Sequence, residues 1–207
     1  MAKILVGLSG GVDSAVATAR LQAAGHEVSG FFMQLESPSR PWSRPAASAD
    51  PVDALADAHR VADFLGVELQ VWDLAERFNR VVMDSFVQAY RDGLTPNPCV
   101  HCNRFIKFGY VVERALREGF DYVATGHYAR LWRPDQAGLI PESIPQTGAD
   151  GAFPNFALLR GSAMGKDQSY VLAGARATAL ARAVFPLGDV TDKAATRAEA
   201  QALGLSL

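Results

Sequence analysis

Near its start the chain passes from an apolar run through a glycine-rich loop into a helical pattern, and this order of features limits the possible folds. Residues 4–8 are apolar and partly β-branched, and residues 12–24 carry apolar side chains at helical spacing. The loop Gly7-Leu8-Ser9-Gly10-Gly11-Val12-Asp13-Ser14 joins them and includes the end of the first run and the start of the second. A strand, a tight loop and a helix in this order aim loop N–H groups and the helix N-terminus at one point. The sequence therefore predicts an anion-binding site built on an α/β unit.

The remaining apolar pattern predicts an α/β fold with a doubly wound parallel sheet and helices on both faces. We expect further strands over 27–34, 68–74 and 121–125, and helices over 53–65, 77–90 and 104–117. Strands that alternate with helices are typical of parallel sheets. With 207 residues, of which 49% are hydrophobic, the chain is long enough to bury a core.

Two stretches interrupt this rhythm. Residues 35–51 contain prolines at positions 38, 41, 45 and 51, and residues 132–154 are rich in Pro, Gly, Asp and Gln. We expect both to be surface insertions. The second is interpreted as a linker without function. The first follows the second strand, where α/β enzymes place substrate loops, so a linker and a functional loop both stay open for it.

The last part of the chain reads as helical, with alanine-rich segments over 172–184 and 193–203. We therefore expect a catalytic domain over residues 1–165 and a helical start of a second domain over 166–207. The sequence stops shortly after Gly204 without an obvious terminal element. This ending predicts that the chain is part of a longer protein.

Charge and hydropathy narrow the possible locations and partners. The 20 Lys and Arg nearly balance the 22 Asp and Glu, and a net charge of −2 gives no global attraction to nucleic acid. Any RNA binding would need a local patch. The apolar runs are shorter than the ~20 residues of a membrane span, and the N-terminus is too short and strand-like for a secretory signal. We expect a cytoplasmic protein with no membrane partner.

The residues of the loop indicate how it would hold an anion. Gly10 and Gly11 allow a tight turn and a close approach to phosphate. Ser9 and Ser14 can add hydroxyl donors, and Asp13 can hold a hydrated Mg²⁺ that bridges phosphate oxygens. The loop has neither the Gly-Lys-Ser/Thr ending of a Walker motif nor the glycine spacing of a dinucleotide fold. A different phosphate arrangement is predicted.

The segment Ser9-Gly10-Gly11-Val12-Asp13-Ser14 resembles the loop of the ATP pyrophosphatases, the PP-loop superfamily. These enzymes cleave ATP between the α and β phosphates and adenylate a substrate oxygen. The resemblance implies an adenine nucleotide alpha hydrolase-like fold, ATP and Mg²⁺ as cofactors, and a catalytic and metal-binding role for Asp13. The implied ATP-binding residues are Gly7, Leu8, Ser9, Gly10, Gly11, Val12, Asp13 and Ser14. The superfamily also includes synthetases of small molecules, so the loop alone does not choose a substrate.

Both cysteines of the chain lie in one short segment, Thr95-Pro96-Asn97-Pro98-Cys99-Val100-His101-Cys102-Asn103. The prolines predict a non-helical approach, and Asn103 is expected to cap the next helix. Cys102 would then lie just before a helix N-terminus, where the pKa of a thiol is lowered. Without an export signal, reactive or metal-binding thiols are expected rather than a disulfide framework.

The cysteine segment resembles that of the tRNA-specific 2-thiouridylases, or tRNA-uridine 2-sulfurtransferases, which exchange oxygen for sulfur at C2 of the wobble uridine. Three further motifs occur in the order of that family: Ala124-Thr125-Gly126-His127-Tyr128-Ala129-Arg130, then Gly165-Lys166-Asp167-Gln168-Ser169-Tyr170, then Phe185-Pro186-Leu187-Gly188. The likeness covers nearly the whole chain. It is the likeness of an N-terminal part, because a second cysteine of the family would lie further downstream.

The resemblance implies a reaction. ATP adenylates the C2 oxygen, sulfur from a persulfide on the downstream cysteine displaces AMP, and Cys102 ends in a disulfide with that cysteine. AMP is a good leaving group where a carbonyl oxygen is a poor one. The implied partners are tRNA, through its anticodon stem-loop, and a persulfide donor or relay protein.

Cys99 departs from the family pattern, in which Asp is common at that position. A Cys-x-x-Cys pair can also hold zinc or an iron-sulfur cluster, with further ligands. A cluster through Cys99, Cys102 and the downstream cysteine is therefore an alternative to the persulfide route. His101, between the two cysteines, is interpreted as a loop residue rather than a ligand.

Other site residues follow from the resemblance. Met33 matches a position whose backbone contacts adenine, although a core methionine would look the same, and Gly126 is expected where the backbone approaches the nucleotide. The residues implied in binding tRNA or the target base are Asn97, Pro98, Cys99, His127, Lys166, Asp167 and Gln168. Arg104, Lys107, Arg114 and Arg117 could form a basic face for an RNA backbone, or a solvated helix face.

Two other functions stay open at this point. One is an ATP pyrophosphatase that adenylates a small molecule, for which no glutaminase-like partner is visible and the cysteine segment would be unexplained. The other is a nucleotide-binding module without catalysis.

Overall fold

The computed structural model describes residues 1–35, 51–132 and 157–205. Its centre is a sheet of five parallel strands in the order β3-β2-β1-β4-β7. The strands are β1 Lys3–Gly7, β2 Glu27–Gln34, β3 Leu69–Asp73, β4 Tyr122–Ala124 and β7 Ala183–Val184. A separate antiparallel pair joins β5 Ala129–Trp132 to β6 Ala157–Arg160. The predicted doubly wound parallel sheet is confirmed, with strand bounds within a residue of those expected for the first four strands.

Helices cover both faces of the sheet, as predicted. One layer contains α1 Val12–Ala23, α2 Pro51–Leu65 and α8 Lys193–Ala202. The other contains a helical segment made of α3 Ala75–Phe78, a π-helix Asn79–Met83 and α4 Asp84–Arg91, followed by α5 Pro98–His101, a π-helix Cys102–Val111 and α6 Val112–Arg117. The short helix α7 Ala177–Leu180 packs there too, and two 3₁₀ turns span Met164–Lys166 and Ser169–Leu172.

The alternation of side chains along β1 divides the core between the two layers. Leu5 belongs to the cluster under the cysteine-bearing helices, with Phe31, Trp72 and Phe108, whereas Ile4 and Val6 pack with Leu21 of α1. All of these β1 side chains are almost fully buried. Because successive residues of a strand face opposite sides, one apolar strand supports both helix layers.

The region after residue 172 differs from the sequence prediction. The alanine-rich sequence predicts helix over 172–184. The structure has helix there at Ala177–Leu180, but Ala183 and Val184 pair with Val123 and Ala124 and extend the sheet as β7. The free edge of β4 supplies backbone partners that outweigh a local helix preference. The expected helix over 193–203 is present as α8. The division between domains at residue 166 stays a prediction.

Two predictions lie wholly or largely outside the described residues. These are the insertions over 35–51 and 132–154, of which the structure describes positions 35 and 51 of the first and position 132 of the second. In the described ranges no helix is long and apolar enough to cross a bilayer.

Candidate functional site

A cavity of about 350 Å³ opens at the carboxyl ends of β1, β2 and β4. Since β2 and β4 lie on either side of β1, the direction of strand progression reverses at β1, where open α/β sheets bind ligands. The volume is in the range of small-molecule sites. The cavity is lined by Gly7, Leu8, Ser9, Asp13, Ser14, Phe31, Phe32, Met33, Leu35, Lys107, Thr125, Gly126, His127 and Gln168.

The phosphate loop, residues 7–14, has a fixed backbone shape. Gly10 adopts φ 79°, and a Cβ at this position would lie 2.5 Å from Asp57 Cβ and 3.0 Å from the Ala54 carbonyl oxygen on α2. The Ser14 hydroxyl donates to the Gly11 carbonyl oxygen at 2.9 Å and accepts from the Ser9 N–H at 3.2 Å. Helix α1 begins at Val12, so its first-turn N–H groups have no acceptor within the helix. The loop is therefore preformed for an anion.

Asp13 lies where the loop meets two later parts of the chain. Its carboxylate accepts hydrogen bonds from the Lys193 ammonium on α8 and from the Tyr128 hydroxyl, the latter at 2.9 Å. The Tyr128 hydroxyl also contacts Thr196 Oγ1 at 2.8 Å, and burial above all raises the pKa of Tyr128 to about 12, so the phenol stays protonated. A Cβ on Gly126 would come within 3.1 Å of Asp13 Cβ. A single carboxylate that lines the cavity fits one ligand position of Mg²⁺.

An apolar wall continues the cavity away from the loop. Phe31, Phe32 and Met33 of β2, followed by Leu35, form this wall. Phe31 rests against the buried Trp72 of β3, with ring centroids 4.9 Å apart. Met33 thus lies in the cavity lining as well as at the edge of the core. Such a surface suits a planar, uncharged ring such as adenine.

His127 is buried on the opposite side of the cavity. Its Nδ1 lies 2.7 Å from Thr125 Oγ1, and its ring packs against both Phe108 and Phe185, with centroids 6.0 Å from each. Burial, reinforced by the positive charge of Lys107, lowers the pKa of His127 to about 3. The imidazole is therefore neutral at physiological pH and can donate or accept hydrogen bonds.

The cysteine segment corrects one prediction. The helix cap is Asn97, whose Oδ1 accepts from the N–H groups of Cys99 at 3.0 Å and Val100 at 3.3 Å, with Pro98 in the first turn. Asn103 is buried inside the helical segment, where its Nδ2 donates to the Cys99 carbonyl oxygen. Cys102 therefore lies about one turn into the helix rather than before its N-terminus. Proline at the first helical position was the better signal for the start.

The environment of Cys102 follows from this placement. Burial raises the pKa of its thiol, and the charge of Lys107 lowers it by less. The expected lowering of the thiol pKa by a helix N-terminus is therefore wrong for this state of the chain. Cys99 is exposed on the surface, and both cysteines are free. No group of three or more potential metal ligands among His, Cys, Asp and Glu occurs within the described ranges.

The predicted tRNA-contacting residues near position 166 have three different environments. Lys166 is exposed. Asp167 accepts from the N–H groups of Gly161 at 2.8 Å and Ser169 at 3.2 Å, and although burial raises its pKa, these hydrogen bonds outweigh that effect and lower it. Gln168 lines the cavity, and its Oε1 accepts from the Tyr128 N–H at 3.0 Å.

The predicted basic face does not form as one surface. Lys107 lines the cavity, whereas the Arg114 guanidinium lies 3.9 Å above the buried Trp72 ring and pairs with Glu118 at 2.7 Å. Arg104 lies over Phe105 and is exposed. Several residues that the structure places at the site were not assigned to it from the sequence. Phe31, Phe32, Leu35, Lys107 and Thr125 line the cavity, and Tyr128 and Lys193 contact Asp13.

A family model described as the tRNA methyl transferase HUP domain matches the chain over residues 2–207. Among curated proteins, the chain is 49% identical over 208 residues to the tRNA-specific 2-thiouridylase MnmA of Mycolicibacterium gilvum, covering 99% of this chain and 51% of that protein. It is 45% identical over 205 residues to the protein of the same name in Beutenbergia cavernae, covering 99% and 50%. The chain thus spans about half the length of the curated relatives it matches.

Solved structures show the same fold at low sequence identity. One is a predicted subunit of tRNA methyltransferase from Methanocaldococcus jannaschii, with a TM-score of 0.50 and 15% identity, covering 97% of this chain and 75% of that one. Another is the NH3-dependent NAD synthetase of Campylobacter jejuni, with a TM-score of 0.51 and 18% identity, covering 99% and 65%. At this identity the likeness concerns the fold alone.

Proposed function

The chain belongs to the tRNA methyl transferase HUP domain family, and from that membership we propose that it binds ATP and adenylates the C2 oxygen of a tRNA wobble uridine for sulfur transfer. It would form the N-terminal part of a tRNA-uridine 2-sulfurtransferase. The observation that carries the proposal is that one cavity joins the phosphate loop to the helix that bears Cys102, through Lys107 on that helix. The relatives named tRNA-specific 2-thiouridylase support the choice of substrate.

ATP would lie across the carboxyl ends of β1 and β2. Phe31, Phe32 and Met33 would receive the adenine, and the N–H groups of the phosphate loop with the first turn of α1 would receive the phosphates. Gly126 approaches Asp13 so closely that a side chain there would press on the loop. This contact supports the predicted role of Gly126 beside the nucleotide.

Asp13 is the residue that would hold Mg²⁺. When bound, the ion would neutralise phosphate oxygens and make pyrophosphate a better leaving group. The Lys193 ammonium now contacts the same carboxylate, so the ion would compete with Lys193 for Asp13 as it arrives.

The chemistry begins at the uridine. Its O2 lone pair attacks the α-phosphorus, the bond to the bridging oxygen breaks, and pyrophosphate leaves with that electron pair. The neutral His127 and the Gln168 amide line the cavity and are suited to hydrogen bonding an uncharged base edge. An unpaired base in an anticodon loop can enter such a site without being extracted from a duplex.

Sulfur transfer would follow with balanced bonds. A persulfide anion on the downstream cysteine attacks C2, and AMP leaves with O2 and the electron pair. The Cys102 thiolate then attacks the inner sulfur, the S–S bond breaks, and its electrons remain on the sulfur attached to C2. The products are 2-thiouridine and a disulfide between Cys102 and the downstream cysteine. A persulfide donor or relay protein would recharge the enzyme.

The surface around the cysteines would receive the anticodon loop. Asn97, Pro98 and the exposed Cys99 present the start of α5 to solvent, and the exposed Lys166 offers a cation to phosphate. Asp167 would hold the turn that carries Gln168, because its carboxylate organises the backbone from Gly161 to Ser169. An iron-sulfur cluster through Cys99, Cys102 and a downstream cysteine is the alternative for the sulfur step.

Product analysis of the full-length gene product tests the proposal. With ATP, a persulfide donor and a tRNA carrying a wobble uridine, AMP and 2-thiouridine should appear in equal amounts, measured by chromatography and nucleoside mass spectrometry. A tRNA with cytidine at that position should give neither. Pyrophosphate release that is independent of tRNA would contradict the proposal and favour a small-molecule adenylating enzyme.

Cys102→Ser separates adenylation from sulfur transfer, with Cys99→Ser as the matched control. The Cys102 variant should release pyrophosphate but form no 2-thiouridine, whereas the Cys99 variant should still form it, with kcat near that of the unchanged protein and an altered KM for tRNA at most. Loss of product in both variants, with iron and visible absorbance in the anaerobically purified protein, would favour the cluster. Absence of any ATP turnover would favour a binding module without catalysis.

A further inference from the structure

The helix that carries Cys102 is not a regular α-helix. Residues Cys102–Val111 form a π-helix, and Phe108 within it has φ −105° and ψ 21°. Gly109 lies so close to the preceding turn that a Cβ on it would be 2.8 Å from the Arg104 carbonyl oxygen. Inserted turns of this kind shift the side chains that follow out of helical register and occur often at functional sites.

Lys107 directly precedes Phe108, the residue with non-helical dihedral angles, and it lines the cavity. Its neighbours on the same element face elsewhere: Ile106 and Phe108 are fully buried in the core, and Arg104 is exposed. Within the described residues the Lys107 ammonium has neither an ion-pair nor a hydrogen-bond partner. A half-buried cation that faces a cavity without a counter-ion is suited to an anionic ligand.

The charges around the cavity indicate which part of the ligand Lys107 would meet. Among its described lining residues, Asp13 is the acidic side chain and Lys107 the basic one, and Asp13 already pairs with Lys193. Two further polar side chains of the lining, His127 and Gln168, are neutral. Lys107 acts electrostatically on both His127 and Cys102. Lys107 therefore lies near enough to the cavity histidine and to the thiol for its charge to act on the pKa of both.

We propose that Lys107 binds the α-phosphate of ATP and keeps this contact with the phosphate of the adenylated uridine. The proposal rests on the function proposed above. Lys107 acts as a fixed cation and exchanges no proton. It opposes the negative charge on the non-bridging oxygens while pyrophosphate leaves, and again while AMP leaves with the C2 oxygen. The glycine at position 109 permits the turn that brings the lysine there.

Nucleotide titration of Lys107→Met tests the contact, with isothermal calorimetry as the measurement. A charge-assisted contact to the α-phosphate should weaken ATP and AMP by the same factor, about 10- to 100-fold, because both ligands carry that phosphate. Adenosine affinity should be unchanged. Arg104→Met, on the exposed side of the same helix, is the matched control and should alter none of the three affinities.

Three outcomes would overturn the assignment. Weaker ATP with unchanged AMP would place Lys107 at the β or γ phosphate. Equal weakening of adenosine would indicate a structural role only. If Lys107→Met had a native circular dichroism spectrum and unchanged ATP affinity, Lys107 would not contact the nucleotide. If the unchanged protein bound no ATP at all, the proposed function itself would fail, which distinguishes the two.

A second readout does not depend on nucleotide. Since the charge of Lys107 lowers the pKa of Cys102, its removal should move the pH midpoint of Cys102 alkylation upward in a Cys99→Ser background. Lys107→Arg should retain the lower midpoint because the charge is kept. An unchanged midpoint in Lys107→Met would contradict the placement of the ammonium near the Cys102 thiol. Lys107→Gln serves the same tests if the methionine variant fails to fold.

Discussion

The phosphate loop lines the cavity, whereas the cysteine segment is connected to it through Lys107 on the helix of Cys102, and the two regions differ in how ready they are for chemistry. The loop is held by Gly10 against α2 and by the Ser14 hydroxyl, so its backbone already has the shape of an anion site. The Cys102 thiol is partly buried and its pKa is raised by that burial, so the reactive thiolate is suppressed. Such a chain can bind nucleotide directly, whereas Cys102 stays in the less reactive thiol form until its surroundings change.

The difference has a chemical advantage for the proposed reaction. A free thiolate beside an activated nucleotide would be open to oxidation or to premature attack. Lys107 is the group that links the two regions, because it lines the nucleotide cavity and lowers the pKa of Cys102. Four further experiments test the contrast between the loop and the thiol.

Removing the freedom of the loop should have the largest effect. Gly10→Ala places a Cβ at φ 79° and 2.5 Å from Asp57 Cβ, so we expect ATP affinity to fall on the order of 100-fold. Gly25→Ala is the matched control, because Gly25 has φ 80° with nothing within 4 Å. It should cost roughly 1–2 kcal/mol of stability and leave ATP binding intact. Equal effects in the two variants would show that the loop is not specifically preformed.

The pKa of His127 tests how completely water is excluded from the buried side of the cavity. Its folded-state pKa of about 3 lies below its ordinary 6.5, so the unfolded chain takes up the proton first. Stability is therefore complete above about pH 6.5 and falls as the pH drops, by about 2 kcal/mol at pH 5. Urea unfolding of the unchanged protein and of His127→Asn, measured above pH 6.5 and at pH 5, isolates the contribution of His127 to the free energy of unfolding. The same acid sensitivity in the variant would mean that other groups cause it.

The thiol itself should give a smaller but direct result. In Cys99→Ser, alkylation of Cys102 at pH 7.5 should be about tenfold slower than in the urea-unfolded chain, because the raised pKa leaves less thiolate and burial limits access. The rate should rise with pH through a midpoint above the ordinary 9.0. An alkylation midpoint below 9.0 would show that the folded chain activates the Cys102 thiol, which would contradict the contrast with the preformed loop.

Lys193 should give the smallest effect. Its ion pair with Asp13 is partly exposed, so Lys193→Met should lower stability by at most about 1 kcal/mol. The same change should reduce the Mg²⁺ concentration needed for half-maximal ATP binding, because the ammonium no longer competes for the carboxylate. Lys3→Met, which breaks the exposed pair with Glu27 at 3.1 Å, is the control and should change neither quantity measurably. An increased Mg²⁺ requirement would contradict competition at Asp13.

These regions also differ in how far the sequence predicts them. The phosphate loop depends on neighbours in the chain, a strand, two glycines and a helix, and each has a local signature. The cap at Asn97 had its own signal in Pro98, but a second asparagine at position 103 competed for the same interpretation. The π-helix has no such pattern, so the helix period placed Lys107 on the surface rather than in the cavity.

Contacts between distant segments explain the remaining differences. Asp13 meets Lys193 180 residues later and Tyr128 115 residues later, and neither distance is readable from spacing. Likewise, Ala183 and Val184 form a strand only because the edge of β4 is available. Local preference favoured a helix there, and the tertiary partner decided otherwise.

The stacking of Phe31 on Trp72 turns the cavity wall into an optical reporter. Phe31 lines the cavity and also touches the buried indole, over which the Arg114 guanidinium lies at 3.9 Å. Any ligand that shifts the phenyl ring alters the surroundings of the indole, and with them its fluorescence. Of the three tryptophans, Trp42 and Trp132 can be exchanged for phenylalanine, which leaves Trp72 as the single emitter. Filling of the nucleotide cavity then becomes visible as light, without a label.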